Sequence, residues 1–140
     1  MSLFLYNLAI GLYSALIALL AQLGYQKAKK IHQGRKNSWK ALSQFNPGQK
    51  PVAWFHCASL GEFEQGRPVI EAFKQQYPEF SILLTFFSPS GYEVRKNYAQ
   101  ADLVCYLPAD RAVYAKRFLQ EADPSIAFFV KYEFWHHYLK

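Results

Sequence analysis

The most constraining feature of this sequence is an alternation of short, continuously apolar runs with segments of helical character. The apolar runs occupy residues 52–58, 80–87, 103–107 and 126–130. The helical segments between them cover residues 59–77, a short stretch ending near 99, and residues 110–122. Runs that are apolar on both faces are typical of strands in a parallel sheet with helices on both sides. The pattern therefore predicts an α/β fold, a Rossmann-like three-layer domain over residues 47–140, with a further helical element from Glu133 onward.

The first 26 residues form a separate apolar segment. No charged residue occurs before Lys27, and residues 3–23 have the length needed to cross a bilayer as a helix. The basic residues follow this run, whereas a cleavable signal peptide carries them in front. One helical face is weakly polar and contains Asn7, Gly11, Ser14 and Gln22. We predict a membrane-anchor helix over residues 1–26 and favour a bilayer span; an amphipathic helix lying in the interface is the alternative.

The excess positive charge is confined to one short segment. The net charge is +6, and residues 27–40 carry six lysines and arginines with no acidic residue. Residues 41–140 carry ten basic and ten acidic side chains, so the rest of the chain is balanced. A basic stretch directly after an apolar run is typical of a juxtamembrane segment that faces anionic lipid on the cytoplasmic side. We assign this role to residues 27–46 and expect no nucleic-acid partner.

The two cysteines indicate neither a disulfide framework nor a metal site. Cys57 and Cys105 each lie inside an apolar, strand-like run and have no C-x-x-C partner. We expect two buried thiols in a reducing compartment. His56 precedes Cys57, but neighbouring side chains on a strand point to opposite faces, so a Cys/His nucleophile is not expected.

Glu62 is the first candidate for a catalytic role. In open parallel sheets, ligands bind beyond the carboxyl ends of the strands, and Glu62 falls in the first turn after residues 52–58. A carboxylate there can act as a general base. The run from Ser59 through Gly61 to Glu62 also has the S-x-x-E form of a helix capping box, and spacing alone favours the cap.

Two other strand-to-helix turns carry polar residues. Ser88, Ser90 and Gly91 could present hydroxyl groups and backbone N–H groups to a phosphate, although an ordinary turn is the commoner meaning of such a sequence. Lys131 and Glu133 are two residues apart after the last apolar run and would share a face of a continued strand, with a surface ion pair as the alternative. No P-loop or G-x-G-x-x-G motif occurs in the sequence.

The order of these motifs resembles the bacterial 3-deoxy-D-manno-oct-2-ulosonic acid (Kdo) transferases. The resemblance runs through residues 56–62, 85–91, 106–110, 117–119, 123–124 and 133–135. It implies the acceptor-side, N-terminal domain of a two-domain GT-B glycosyltransferase, preceded by a membrane anchor. A C-terminal donor domain, absent from these 140 residues, would bind most of the CMP-Kdo, so we expect the chain alone to be inactive.

The resemblance also implies a reaction and its residues. The reaction would be inverting, metal-independent transfer of Kdo from CMP-Kdo to a lipid A precursor, in lipopolysaccharide biosynthesis at the cytoplasmic face of the bacterial inner membrane. Glu62 matches the family's general base, and Ser59 and Gly61 belong to the same turn. Lys131 stands where the family has the first glutamate of E-T-E-L-W-P, and Glu133 matches the second. The substrates are then CMP-Kdo and the lipid, with no cofactor.

Two alternatives remain open from the sequence. The first is a membrane-tethered, non-catalytic Rossmann-like module that recruits a partner or senses a nucleotide. The second is another GT-B glycosyltransferase that acts on a different lipid acceptor.

Overall fold

The computed structural model describes residues 2–140, which form five helices and one four-stranded parallel sheet. The helices are α1 (Leu3–Gln22), α2 (Gln26–Gln44), α3 (Leu60–Gln76), α4 (Pro89–Arg95) and α5 (Ala112–Ala122). The strands are β1 (Val52–Cys57), β2 (Ser81–Phe86), β3 (Leu103–Tyr106) and β4 (Pro124–Phe129), in the order β3-β2-β1-β4. The predicted α/β class and its parallel sheet are confirmed.

Two apolar clusters cover the two faces of the sheet. Alternate β1 residues point to opposite sides, so Trp54 packs with α5 residues such as Phe118, while Phe55 packs on the side of Phe63 in α3. Helices α2 and α5 cover the first face, and α3 and α4 cover the second. This three-layer arrangement explains why β1 and β2 are buried along their whole length.

Helix α2 is formed by the basic segment, for which the sequence predicted no secondary structure. Its buried residues recur at steps of three, seven and four, as on one face of a helix, and they are Ala28, Ile31, Ser38 and Leu42. The Ser38 hydroxyl accepts a hydrogen bond from the Tyr106 backbone N–H at 2.9 Å. A Cβ atom on Gly34 would fall 2.2 Å from the Tyr106 ring, so only glycine permits this approach. Helix α2 is therefore part of the packed core, and its lysines line its outer faces.

One face of helix α1 packs against the domain, and the opposite face is exposed. The Asn7 side chain contacts the His137 ring, with 2.7 Å between Oδ1 and Nε2, and the Tyr13 ring stacks on Phe87 at 5.9 Å. The outward face carries a leucine stripe at helical spacing, formed by Leu5, Leu8, Leu12, Leu16, Leu19 and Leu23. Among the described residues, α1 is the one helix long and apolar enough to cross a membrane.

The helical element predicted from Glu133 onward is wrong. Residues 130–140 contain only bends and a turn at 136–138. Lys131 has a φ of 64°, which is a left-handed backbone that does not propagate a helix. Tyr138 is instead drawn into the core, where its hydroxyl donates to the Pro108 carbonyl at 3.0 Å.

Candidate functional site

Glu62 lies in the first turn of α3, directly beyond the carboxyl end of β1, as predicted. The capping box is formed. The Ser59 N–H donates to Glu62 Oε2 at 3.2 Å, and the Glu62 N–H donates to Ser59 Oγ at 3.5 Å. The other carboxylate oxygen, Oε1, accepts no hydrogen bond from the described residues. Capping thus fixes the carboxylate by one oxygen and leaves the second available to a ligand.

The segment after β4 arrives at the same edge of the sheet. Val130 packs against Gly66, which lies one helical turn beyond Glu62 on the same face of α3. A Cβ atom on Gly66 would fall 2.8 Å from Val130, so a glycine is required for this contact. Lys131 follows directly, is exposed, and makes no ion pair or hydrogen bond with the described residues. Its ammonium is therefore free to meet a ligand near this edge.

Glu133 lies beside a buried histidine. Its Oε2 is 3.7 Å from His56 Nε2, and His56 is completely buried in β1. The opposite ring nitrogen of His56, Nδ1, is 2.9 Å from Thr85 Oγ1 in the neighbouring strand β2. The carboxyl ends of β1 and β4 thus bring Glu62, Lys131 and Glu133 to one edge, although no direct contact joins Glu62 to the other two.

The turn that contains Ser88, Ser90 and Gly91 is stabilised by hydrogen bonds among its own polar groups. The Ser88 hydroxyl caps α4 by accepting from the Ser90 N–H at 3.3 Å, and the two hydroxyl oxygens are 3.1 Å apart. The Ser88 N–H donates to the Ala58 carbonyl at 2.8 Å, which ties this turn to the one that carries Ser59. Gly91 is buried, and an added Cβ atom would fall 2.2 Å from the Phe86 ring. Packing alone therefore accounts for the glycine, while the Ser90 hydroxyl remains exposed.

The cysteines behave as predicted. Cys57 and Cys105 are free and buried, and burial raises the pKa of each thiol to about 12. A nearby carboxylate, Glu62, adds to the effect at Cys57. Both thiols therefore stay protonated and unreactive at neutral pH. His56 and Cys57 point to opposite faces of the sheet, which confirms that they form no catalytic pair.

Sequence reasoning missed the residues that join separate segments. Trp135 donates from Nε1 to His56 Nε2, and Asp110 accepts the His137 backbone N–H on both carboxylate oxygens, at 3.1 and 3.2 Å. Asp110 also accepts a hydrogen bond from the Tyr6 hydroxyl. No local motif signals such pairs.

Arg35 also joins separate segments, because its guanidinium lies over the rings of Tyr13 in α1 and Phe87 after β2. For Arg35 a sequence signal was present, since it fills the gap of seven between Ile31 and Ser38 on the buried face of α2.

A family model described as 3-deoxy-D-manno-octulosonic-acid transferase (kdotransferase) matches residues 22–140. The match includes α2, the whole sheet and all three turns described above. The chain belongs to this Kdo transferase family.

Individual Kdo transferases are similar over the same region. The protein named 3-deoxy-D-manno-octulosonic acid transferase of Aquifex aeolicus is 33% identical over 103 residues, covering 69% of this chain and 28% of its own length. The protein of that name from Chlamydophila psittaci is 30% identical over 96 residues, covering 67% of this chain and 22% of its own length. A third, from Chlamydia pneumoniae, is 27% identical over 133 residues, or 94% of this chain and 29% of its own length. The chain thus spans less than a third of each of these relatives.

Proposed function

We propose that the protein formed with these residues transfers Kdo from CMP-Kdo to a hydroxyl group of a lipid A precursor, with Glu62 as the general base. The observation that carries the proposal is the position of Glu62 at the carboxyl end of β1, with Oε1 free and the surrounding turns inside the Kdo transferase match. Ligands of open parallel sheets bind at this edge.

Glu62 Oε1 would take the proton of the acceptor hydroxyl as its oxygen attacks the anomeric carbon of Kdo. The new glycosidic C–O bond forms on one face, the bond to the CMP phosphate breaks on the other, and CMP leaves. The configuration at the anomeric carbon is therefore inverted. The bond from the Ser59 N–H to Oε2 would hold the carboxylate in place during this step, so the cap and the base are compatible roles.

The neighbouring polar groups would bind the charged substrates. Lys131 is an exposed cation at the same edge and would neutralise phosphate on the donor or the acceptor. Glu133 would orient a substrate hydroxyl. The Ser88, Ser90 and Gly91 turn and the Ser59 and Gly61 turn would line the acceptor side of the cleft. We expect no metal or other cofactor, as the family resemblance implies.

We further propose that α1 lies in the membrane interface on the cytoplasmic side of the bacterial inner membrane. Contacts from Asn7 and Tyr13 hold one face of α1 against the domain, and such contacts favour an interfacial helix over a bilayer span. The leucine stripe would then face the acyl chains. This placement would bring a lipid acceptor to the edge of the sheet where Glu62 lies.

The test is a transfer assay with the longest reading frame that contains these residues, in detergent micelles. Radiolabelled Kdo, generated as CMP-Kdo, is supplied with a tetra-acyl lipid A precursor, and labelled lipid is separated by thin-layer chromatography. Label is expected in the lipid with the wild type and at least about a hundredfold less of it with Glu62→Gln. Failure with CMP-Kdo and with other sugar nucleotides would reject the enzyme and favour a non-catalytic module. Transfer to a different lipid would retain Glu62 as the base and reject the lipid A precursor as the acceptor.

A further inference from the structure

Arg35 is a half-buried cation that forms no ion pair with the described residues. Its guanidinium lies between the Phe87 ring at 4.7 Å and the Tyr13 ring at 5.7 Å. Its Nε and Nη2 atoms are buried and donate no hydrogen bond, and no carboxylate of the described residues lies within 4 Å of it. Burial lowers the pKa of Arg35, but a guanidinium remains charged at neutral pH. Guanidinium N–H groups that are buried without an acceptor are costly, so this position points to an anion that would offset the cost.

A groove beside Arg35 could hold that anion. It has a volume of about 250 Å³ and lies between α1, α2 and the start of α5. Besides Arg35 its lining contains Lys36, Arg111 and His32, and it contains no aspartate or glutamate. The nearest acid, Asp110, lines a neighbouring cavity that Arg35 also borders. The charged lining of this groove therefore consists of three permanent cations and makes it a positive concave surface.

The walls of the groove limit the kind of ligand. Ser14 and Ile17 of α1 form one wall, and the rings of Trp39 and Tyr114 form another. Arg111 already lies near the Tyr114 ring, with 5.6 Å between its Cζ and the ring centroid, so its guanidinium is held at the rim. The first turn of α5 has neither a side-chain cap nor an acidic residue, which adds to the positive potential. A compact group with more than one negative charge fits this surface better than a single carboxylate.

We propose that this groove is a binding site for a phosphomonoester, either free in solution or as the headgroup of a lipid in the membrane against which α1 lies. Arg35 and Arg111 donate to the phosphate oxygens, and Lys36 neutralises the remaining charge. The site does not include Glu62, Lys131 or Glu133, and binding there requires no sugar donor. Its test is therefore independent of the transferase proposal.

The experiment has two binding arms and one matched control. In the first arm, inorganic phosphate is titrated into the ¹⁵N-labelled chain in phosphatidylcholine nanodiscs at constant ionic strength, and arginine Nε–Hε signals are followed by NMR. In the second, sedimentation compares vesicles that contain phosphatidic acid with vesicles of equal surface charge that contain phosphatidylglycerol. Each arm uses the wild type, Arg111→Gln, Arg35→Gln and Lys116→Gln. Lys116 is an exposed residue of α5 that does not line the groove, so it controls for net charge.

Saturable phosphate binding that Arg111→Gln weakens about tenfold, and Lys116→Gln leaves unchanged, is the expected result, because one charge-assisted hydrogen bond is lost. Because Arg111 lies on the surface, its variant gives a result even if Arg35→Gln fails to fold. Selectivity for phosphatidic acid over phosphatidylglycerol, lost in Arg111→Gln, would assign the lipid headgroup as the source. Binding of inorganic phosphate alone would assign a soluble phosphate. The proposal is overturned if neither ligand binds saturably, or if Lys116→Gln weakens binding as much as Arg111→Gln.

Discussion

Trp135 Nε1 donates a hydrogen bond to His56 Nε2 at 3.3 Å, which joins the segment after β4 to the buried end of β1. Because an indole N–H can only donate, Nε2 is the acceptor and the imidazole proton lies on Nδ1, facing Thr85 Oγ1. The Thr85 hydroxyl also accepts from Trp54 Nε1 at 2.8 Å. This buried chain of bonds spans β1, β2 and the segment that carries Glu133, so it fixes where that carboxylate lies.

Trp135→Phe should destabilise the domain by about 1–3 kcal/mol, because it leaves the buried His56 Nε2 without a donor. The aromatic contact with Phe87, at 4.9 Å between ring centroids, is largely kept. Urea unfolding followed by circular dichroism measures the change. Phe134→Ser is the matched control, since Phe134 is 74% exposed and its replacement should change stability by less than about 0.5 kcal/mol. Equal effects of the two variants would argue against a specific role for the Trp135–His56 bond.

Glu62→Gln should reduce Kdo transfer by about 10²- to 10⁴-fold, the range expected for loss of a general base. The amide oxygen can still accept from the Ser59 N–H, so stability should change little. Ser59→Ala removes the other half of the capping box and should cost about 1 kcal/mol of stability, with a smaller effect on rate. Initial rates and melting temperatures of both variants separate the two roles. A near-normal rate in Glu62→Gln with a lower melting temperature would reduce Glu62 to a helix cap.

Lys131 combines a candidate functional charge with a left-handed backbone, and two substitutions separate these properties. A non-glycine residue at a φ of 64° costs about 1 kcal/mol, so Lys131→Gly should be at least as stable as the wild type. Lys131→Ala retains the backbone cost. If the ammonium binds a substrate phosphate, both variants should lose at least about tenfold in transfer rate, because a charged hydrogen bond is removed. Normal transfer in Lys131→Gly would show that the charge is dispensable.

The leucine stripe of α1 should carry the membrane attachment. Leu12 and Leu16 are 63% and 52% exposed, so Leu12→Gln together with Leu16→Gln leaves the contacts to the domain intact. Each leucine contributes about 1.5–3 kcal/mol when buried in an apolar phase, so vesicle binding should weaken at least about a hundredfold. Sedimentation with vesicles measures the binding, before and after a high-salt wash. If vesicle binding persists but becomes salt-sensitive, the attachment is due instead to the basic residues of α2.

The two buried thiols predict a loss of stability at alkaline pH. Folding raises the pKa of Cys57 and Cys105 from 9.0 to about 12, so between these values the unfolded chain has lost protons that the folded chain retains. Stability should therefore be unaffected below about pH 9 and fall as the pH rises toward 12. Urea midpoints of Cys57→Ala and Cys105→Ala should be less pH-dependent than those of the wild type. Rapid reaction of either thiol with a disulfide reagent at pH 8, without denaturant, would contradict their burial.

The sequence predicted the sheet well because its strands are apolar on both faces. The first three predicted runs agree with β1, β2 and β3 to within one residue at each end. Strand β4 begins two residues earlier than predicted, at Pro124, because a proline is tolerated at the first residue of an edge strand. Helix α2 was missed because its basic composition concealed a narrow buried stripe.

The site was less predictable than the sheet. The local motif around Glu62 predicted the cap. The strand order, which only the structure gives, places Lys131 and Glu133 at the same edge. The predicted shared face of a continued strand is wrong, because β4 ends at Phe129 and Lys131 has a left-handed backbone. The bond between His56 and Trp135 depends on residues 79 positions apart, so no local pattern reveals it. The same holds for the aromatic rings around Arg35, which come from α1 and from the turn after β2.

Asp110 imposes an order of events on the synthesis of this chain. Its carboxylate joins the Tyr6 hydroxyl in α1 to the His137 backbone N–H, which follows the last strand of the sheet. Asn7 adds a second bond to the His137 side chain. A ribosome releases residue 137 long after α1 has emerged, so the amino-terminal helix cannot dock through these bonds until the sheet has been synthesised. During that interval both the tyrosines and the leucines of the helix are exposed. A nearby bilayer can therefore bind the nascent chain before one face of the helix packs against the domain.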